Sequence, residues 1–231
     1  MNNMENKILE KVEELVKPQY LSKVRWAHGW PHIWGVEKAA IDLSKLENQD
    51  PAICGIAAYC HDLGRVIEEE ANMVGRDLGD KKHAELSIKP TQKILKKVGI
   101  KGLEYDLIIE AVKVHADLKY LGDNMVAKIV RDADKKDGLG EWGVLRTANF
   151  VLSYAFHLPQ REDIIGISRI ALNLLDKIYK NPKDRQKYLE CLTFNLEWYE
   201  NLLDTKSAEF LLKQDYEYTK NVQKYMLAKR E

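Results

Sequence analysis

The stretch Ala57-Ala-Tyr-Cys-His-Asp-Leu-Gly-Arg65 joins the end of an apolar helix to two adjacent side chains that bind metal ions well. From Pro51 onward the chain is apolar almost all round, a pattern typical of a helix buried in an α-helical core. Asp50 and Pro51 provide an N-cap and a first-turn proline, and Gly64 is expected to close the helix. The stretch therefore predicts an all-α protein with this helix at its centre.

The pair His61-Asp62 lies where this buried helix is expected to end. A carboxylate at such a position is costly to desolvate unless it meets a cation, and an imidazole beside it indicates that the cation is a metal ion. The alternative is that both side chains cap the helix and bond to neighbouring groups. The pair alone does not decide between these interpretations.

Further metal-binding side chains follow apolar helical faces along the chain. They are His32 before Val36 and Ala40, His83 at the start of a helical stretch, His115 after Ala111 and Val112, and Asp132 after Ile129 and Val130. A single inward histidine is more often a satisfied core residue than a ligand, but four in order with two aspartates favour one shared metal centre. His28 could exchange roles with His32, which is preferred because its apolar face continues.

The ordered set His32, His61-Asp62 and Asp132 resembles the HD-domain metal-dependent phosphohydrolases. The resemblance covers about residues 20 to 140 and includes the spacing His83-x-x-x-Ser87. It implies an HD-domain-like helical bundle in which His32, His61, Asp62 and Asp132 bind one divalent ion. In members with two metals, further histidines bind the second ion, and His83 and His115 lie where those would fall.

The resemblance implies a phosphohydrolase that acts on a nucleotide or another small phosphorylated metabolite through a metal-activated water. Mixed imidazole and carboxylate ligands suit manganese, iron, cobalt, nickel or zinc, as one or two ions. Asp62 is expected to be essential, and Arg65 is expected either to clamp phosphate or to pair with Glu68 or Glu69. Asp134 and Asp137 are expected to cap or orient neighbours.

Two other functional classes stay open at this point. The first is a non-catalytic, metal-stabilised binding or regulatory module in which the ions are structural. The second is a di-iron oxygenase, because a few relatives of this scaffold use paired irons to activate oxygen.

The charge balance, the cysteines and the hydropathy of the chain limit the binding partners and the cellular location that the sequence predicts. The 36 basic residues balance the 36 acidic ones, so bulk nucleic-acid binding and attraction to an anionic membrane are not favoured. The cysteines Cys54, Cys60 and Cys191 lack close C-x-x-C spacing and indicate buried thiols in a reducing compartment. No apolar run approaches the length of a membrane span, and the N-terminus lacks a signal-peptide pattern. A cytoplasmic location is expected.

Helical periodicity and the turn residues between periodic segments define the expected organisation. Helices are predicted over residues 4–16, 19–28, 32–47, 51–62, 81–98, 103–119, 124–137, 142–157, 161–180, 183–203 and 206–228. Residues 1–157 are expected to form the metal-binding catalytic core, and 158–231 a helical extension that packs on it or forms a homodimer interface. The charged stretch 68–80 is expected to be a lid over the site or a plain solvated connection.

Overall fold

The computed structural model describes residues 3–23, 28–70, 81–152 and 167–228, and every regular element in these ranges is a helix. The all-α prediction is therefore confirmed. None of the described helices combines the length and the hydropathy that crossing a bilayer requires.

The chain divides into two compact units between Asp134 and Lys135. The first unit contains α1 (Asn3–Lys23), α2 (Trp30–Leu46), α3 (Pro51–Cys60), α4 (Leu63–Glu70), α5 (Lys81–Val98), α6 (Leu103–Val114) and most of α7 (Met125–Lys136). The second contains α8 (Gly140–Val151), α9 (Ile167–Lys180), α10 (Pro182–Asn201) and α11 (Lys206–Ala228). The expected boundary at residue 157 lies outside the described residues, and the packing of residues 158–231 on the core stays a prediction.

Helix α3 forms the centre of the first unit. Every residue from Ala52 to Cys60 is buried, and the helix packs against α1, α2 and α6. Its start is fixed as the sequence predicts, since the Asp50 carboxylate accepts hydrogen bonds from the backbone N–H groups of Ala52 at 2.8 Å and Ile53 at 3.4 Å. The end of α3 is therefore held in the interior, away from bulk water.

Several predicted helix boundaries are wrong: α6, for example, ends at Val114 rather than at residue 119. Two of the corrections have a reason in the packing. The two N-terminal helices expected to separate near Pro18 form the single helix α1, which continues through that proline. Val12, Val16 and Tyr20, spaced four apart, are all buried, and this continuous inward face outweighs the hydrogen bond that proline removes. Residues 24–27 of the second predicted helix lie outside the described residues.

The second correction concerns Gly64, which does not end α3 but lies in the first turn of α4. A Cβ atom at this position would lie 2.0 Å from the backbone oxygen of His83. The Gly64 N–H donates to Ser87 Oγ at 2.7 Å, and that hydroxyl donates to the His83 oxygen at 2.9 Å. Glycine is thus required because the backbone of α5 at His83 occupies the space that a Cβ atom would take. Helix α4 also occupies part of the expected lid, whose residues 71–80 lie outside the described residues.

Helix α2 contains a buried carboxyl group, Glu37, which is 1% exposed. Burial raises the pKa of Glu37, and the neighbouring Glu13 raises it further, while Lys38 and the Tyr59 hydroxyl oppose the shift. The nearest cation, Lys38 Nζ, lies 3.5 Å from Glu37 Oε2. The ionised form of Glu37 is therefore less stable in the folded protein than in the unfolded chain.

Replacement of Gly64 by Ala should destabilise the protein by about 1–3 kcal/mol, because backbone atoms of α5 block the new methyl group. Gly55→Ala is the matched control, since its Cβ would meet the flexible end of Leu9 at 3.0 Å. Because alanine favours helix by about 1 kcal/mol over glycine, we expect the control to stay close to wild type. Urea denaturation followed by circular dichroism measures both, and equal stabilities for the two variants would contradict this packing.

Glu37→Gln should stabilise the protein increasingly as the pH rises above about 4.5, the ordinary carboxyl value. A raised folded-state pKa means that the contribution of Glu37 is fully present below the unfolded pKa and is lost as the pH passes through the folded pKa. Glutamine does not titrate, so the difference between variant and wild type reports this group alone. Unfolding free energies measured from pH 4 to pH 8 should diverge, and a constant difference would show that Glu37 keeps an ordinary pKa.

Candidate metal centre

The His61-Asp62 pair occupies the two-residue turn between α3 and α4. The His61 ring lies so that its Nδ1 is 2.6 Å from the backbone oxygen of Ala58, one turn earlier. Donation of the Nδ1 proton to this carbonyl leaves Nε2 as the ring atom with a lone pair. The burial of α3 and this hydrogen bond together fix both the position and the tautomer of His61.

The remaining predicted histidines come from three further helices of the first unit. His32 lies in the first turn of α2, His83 in the first turn of α5, and His115 at the C-terminal cap of α6. All are buried. His115 repeats the arrangement of His61, because its Nδ1 lies 2.8 Å from the backbone oxygen of Val112. Its Nε2 is therefore also the atom that presents a lone pair.

The four histidines form two pairs whose Nε2 atoms face each other. The distance between His32 Nε2 and His61 Nε2 is 3.3 Å, and that between His83 Nε2 and His115 Nε2 is 3.0 Å. Two ligand atoms that each lie about 2.1 Å from one ion are separated by roughly 3.0–3.4 Å. Both spacings match that of two ligands of one divalent ion.

The carboxylate of Asp62 lies between the two pairs. Its Oδ2 is 3.6 Å from His32 Nε2 and 3.8 Å from His61 Nε2. Its Oδ1 is 3.4 Å from His83 Nε2 and 3.5 Å from His115 Nε2. One oxygen thus faces each pair, which is the arrangement of a carboxylate that bridges two ions.

Electrostatics keep these groups in the forms that metals bind. Burial lowers the pKa of His61 to about 4 and that of His83 to about 2, so both rings are neutral near pH 7. Burial alone would raise the pKa of Asp62, but the rings of His61 and His28 hold it well below its usual range. Neutral imidazoles around an ionised carboxylate are the ligand states that a divalent cation requires.

The segment Asp132-Ala-Asp134 supplies a carboxylate from α7. Asp134 Oδ1 lies 3.6 Å from His32 Nε2, and Asp134 forms a compact group of possible ligands with His32 and His61. Asp132 is buried, but the groups of possible ligands found among the described residues do not include it. The ligand role expected for Asp132 stays a prediction, whereas the geometry favours Asp134, which we expected only to orient neighbours.

Arg65 lies one turn after Asp62 and makes one of the two contacts expected of it. Its Nη1 is 3.0 Å from the buried carboxylate of Glu68, which is the expected ion pair. Its Nε is 3.8 Å from Asp62 Oδ1, so the guanidinium lies beside the candidate centre. The phosphate-clamp role stays a prediction.

The contact that His28 makes with Asp62 was not predicted from the sequence. His28 Nδ1 lies 2.9 Å from Asp62 Oδ2, and its ring lies edge-on to His32 with centroids 5.5 Å apart. The spacing His28-Gly-Trp-Pro-His32 carries the signal, because it places His28 one residue before the Gly29 cap of α2 and His32 in its first turn.

Two solved structures resemble this chain over nearly its whole length. The structure of Bacillus subtilis YpgQ in complex with ADP has a TM-score of 0.65 and 21% sequence identity, covering 96% of this chain and 95% of that chain. A Bacillus thuringiensis HD-superfamily hydrolase has a TM-score of 0.59 and 21% identity, covering 96% of each chain. These TM-scores support a shared fold, and sequence identities of 21% support nothing beyond the fold. A search of curated proteins found no significant match.

The profile of the HD domain family matches residues 29–139. This range begins at the cap of α2 and contains His32, the His61-Asp62 pair, His83, His115 and Asp134. Residues 29–139 are therefore identified as an HD domain.

Proposed function

We propose that this protein is a metal-dependent phosphohydrolase that acts on a nucleotide or another small phosphorylated metabolite. The observation that carries the proposal is the position of Asp62, whose two oxygens face two separate imidazole pairs at 3.4–3.8 Å. A centre of this kind suits hydrolysis of a phosphoester or phosphoanhydride. A homodimer and a cytoplasmic location are further expectations that the proposal does not require.

The donor set fits transition metals. His32, His61, Asp62 and Asp134 would hold one ion, and His83, His115 and Asp62 the other. Imidazole nitrogens with carboxylate oxygens suit manganese, iron, cobalt, nickel or zinc better than magnesium, which prefers oxygen ligands. Bound divalent ions of this kind lower the pKa of water and withdraw charge from phosphoryl oxygens.

Charge counting explains why such a centre attracts phosphate. One ion against Asp62 and Asp134 is near neutrality, whereas two ions against the same two carboxylates leave an excess of about two positive charges. The neutral histidines add no charge. The two-ion form would therefore bind an anionic phosphate, and Arg65 lies close enough to the centre to contribute a further cationic contact.

The choice of a nucleotide as substrate rests partly on similarity. The YpgQ structure contains ADP, and its fold matches nearly the whole of both chains. At 21% identity this likeness supports the substrate class only as a proposal. The net charge of zero is consistent with a small phosphorylated partner rather than a nucleic-acid polymer.

The proposal is tested with chelator-treated protein supplied separately with Mn²⁺, Co²⁺, Ni²⁺ and Zn²⁺. The substrate panel contains ATP, ADP, AMP, p-nitrophenyl phosphate and bis-p-nitrophenyl phosphate, with products resolved by ion-exchange chromatography. We expect metal-dependent release of phosphate or pyrophosphate that the isosteric variant Asp62→Asn abolishes. Tight metal retention without cleavage of any compound would instead support a binding module, and turnover that requires iron and oxygen would support an oxygenase.

Asp134→Asn and Asp132→Asn form a matched pair on α7. Because Asp134 lies 3.6 Å from His32 Nε2, its amide variant should lose metal affinity by more than the 10-fold to 100-fold typical of groups that only support a ligand. Asp132→Asn should retain its ions. Isothermal titration of the metal-free proteins with Mn²⁺ measures both affinities, and the reverse ranking would restore Asp132 as the ligand.

A further inference from the structure

His28 differs from the other histidines of the centre in its exposure. Its side chain is 34% exposed, whereas those of His32, His61, His83 and His115 are at most 5% exposed. His28 is therefore the most exposed of these five rings. It nevertheless makes the shortest contact of any of these rings to the central carboxylate, at 2.9 Å from Asp62 Oδ2.

The contact involves the oxygen of Asp62 that faces His32 and His61. Those two Nε2 atoms lie 3.6 and 3.8 Å from Oδ2, which is beyond hydrogen-bonding distance. The His28 distance is that of a normal N–H···O hydrogen bond. His28 and the two deeper rings thus approach the same oxygen in different ways.

We infer that His28 is a positioning residue whose Nδ1–H holds the Asp62 carboxylate in its bridging orientation. A carboxylate can rotate about its Cβ–Cγ bond, and rotation would turn its oxygens away from the two histidine pairs. A hydrogen bond from His28 to Oδ2 opposes this rotation, while Oδ1 stays directed at His83 and His115. Carboxylate ligands of metals commonly need such a partner.

The competing assignment is that His28 is itself a ligand. Its nitrogen forms a group of possible ligands with His32 and Asp62, whereas His32 forms a different group with His61 and Asp134. The second group combines with Asp62 Oδ2 to offer four protein ligands, of which Asp134 is 20% exposed and the other three are buried. The competing assignment would therefore add a fifth protein ligand to an ion that already has four.

The two assignments make different predictions for three substitutions of His28. The amide nitrogen of Asn takes the place of the imidazole Nδ1, that of Gln takes the place of Nε2, and Leu has no donor. Because the contact uses Nδ1, His28→Asn should bind Mn²⁺ much like wild type, whereas His28→Gln and His28→Leu should bind it about 10-fold to 100-fold more weakly. All three should bind the same number of ions as wild type.

Mn²⁺ binding is measured by electron paramagnetic resonance of the free ion, with thermal unfolding as the control for folding. This measurement is independent of catalysis. The positioning role is overturned if His28→Asn binds one ion fewer than wild type, because His28 would then be a ligand. It is also overturned if the Asn, Gln and Leu variants bind alike, because the hydrogen bond would then have no effect.

The inference rests on the metal centre of the proposed function, but the two fail differently. If the three variants rank as expected and wild-type protein cleaves no phosphate compound, the positioning role stands and the phosphohydrolase proposal falls. If wild-type protein is an active phosphohydrolase, the kinetics give a second test. His28→Gln should then lower kcat at saturating Mn²⁺ with little change in KM, and His28→Asn should restore it.

Discussion

The carboxylate of Asp62 is 2% exposed, and a charge removed this far from water requires compensation from its surroundings. The first unit provides that compensation from several helices at once. Helix α3 places the carboxylate at its buried end, and α2, α5 and α6 direct His32, His83 and His115 at its two oxygens. The HD domain can therefore be understood as a helical frame around one desolvated negative charge.

The close approach of α4 and α5 links that frame to its second histidine pair. Gly64 donates its N–H to Ser87, and Ser87 donates its hydroxyl to the backbone oxygen of His83. This chain of two hydrogen bonds runs from the first turn of α4, two residues after Asp62, to the helix that holds His83. A side chain at position 64 would clash with the backbone of His83, so this glycine permits the close approach of α4 and α5.

The sequence was sufficient to predict most of the helices and the inward histidines that the structure brings together, because the spacing of apolar residues along a helix is a local property. The apolar run before His61, the face that begins at His32 and the face that ends at His115 each identified an inward side chain. Asp134 could not be chosen over Asp132 in this way, since both belong to one short polar segment and their directions depend on how α7 packs. The contact of His28 with Asp62 was missed for the same reason, because it joins residues 34 positions apart.

The most direct test of the account is a crystal structure of the protein grown with Mn²⁺, with data collected on both sides of the manganese absorption edge. The account predicts two anomalous peaks about 3.5–4 Å apart, one beside His32 and His61 and the other beside His83 and His115, with Asp62 between them. A manganese peak located away from Asp62 would contradict the account. Histidine pairs whose Nε2 atoms contact each other with no manganese between them would also contradict it.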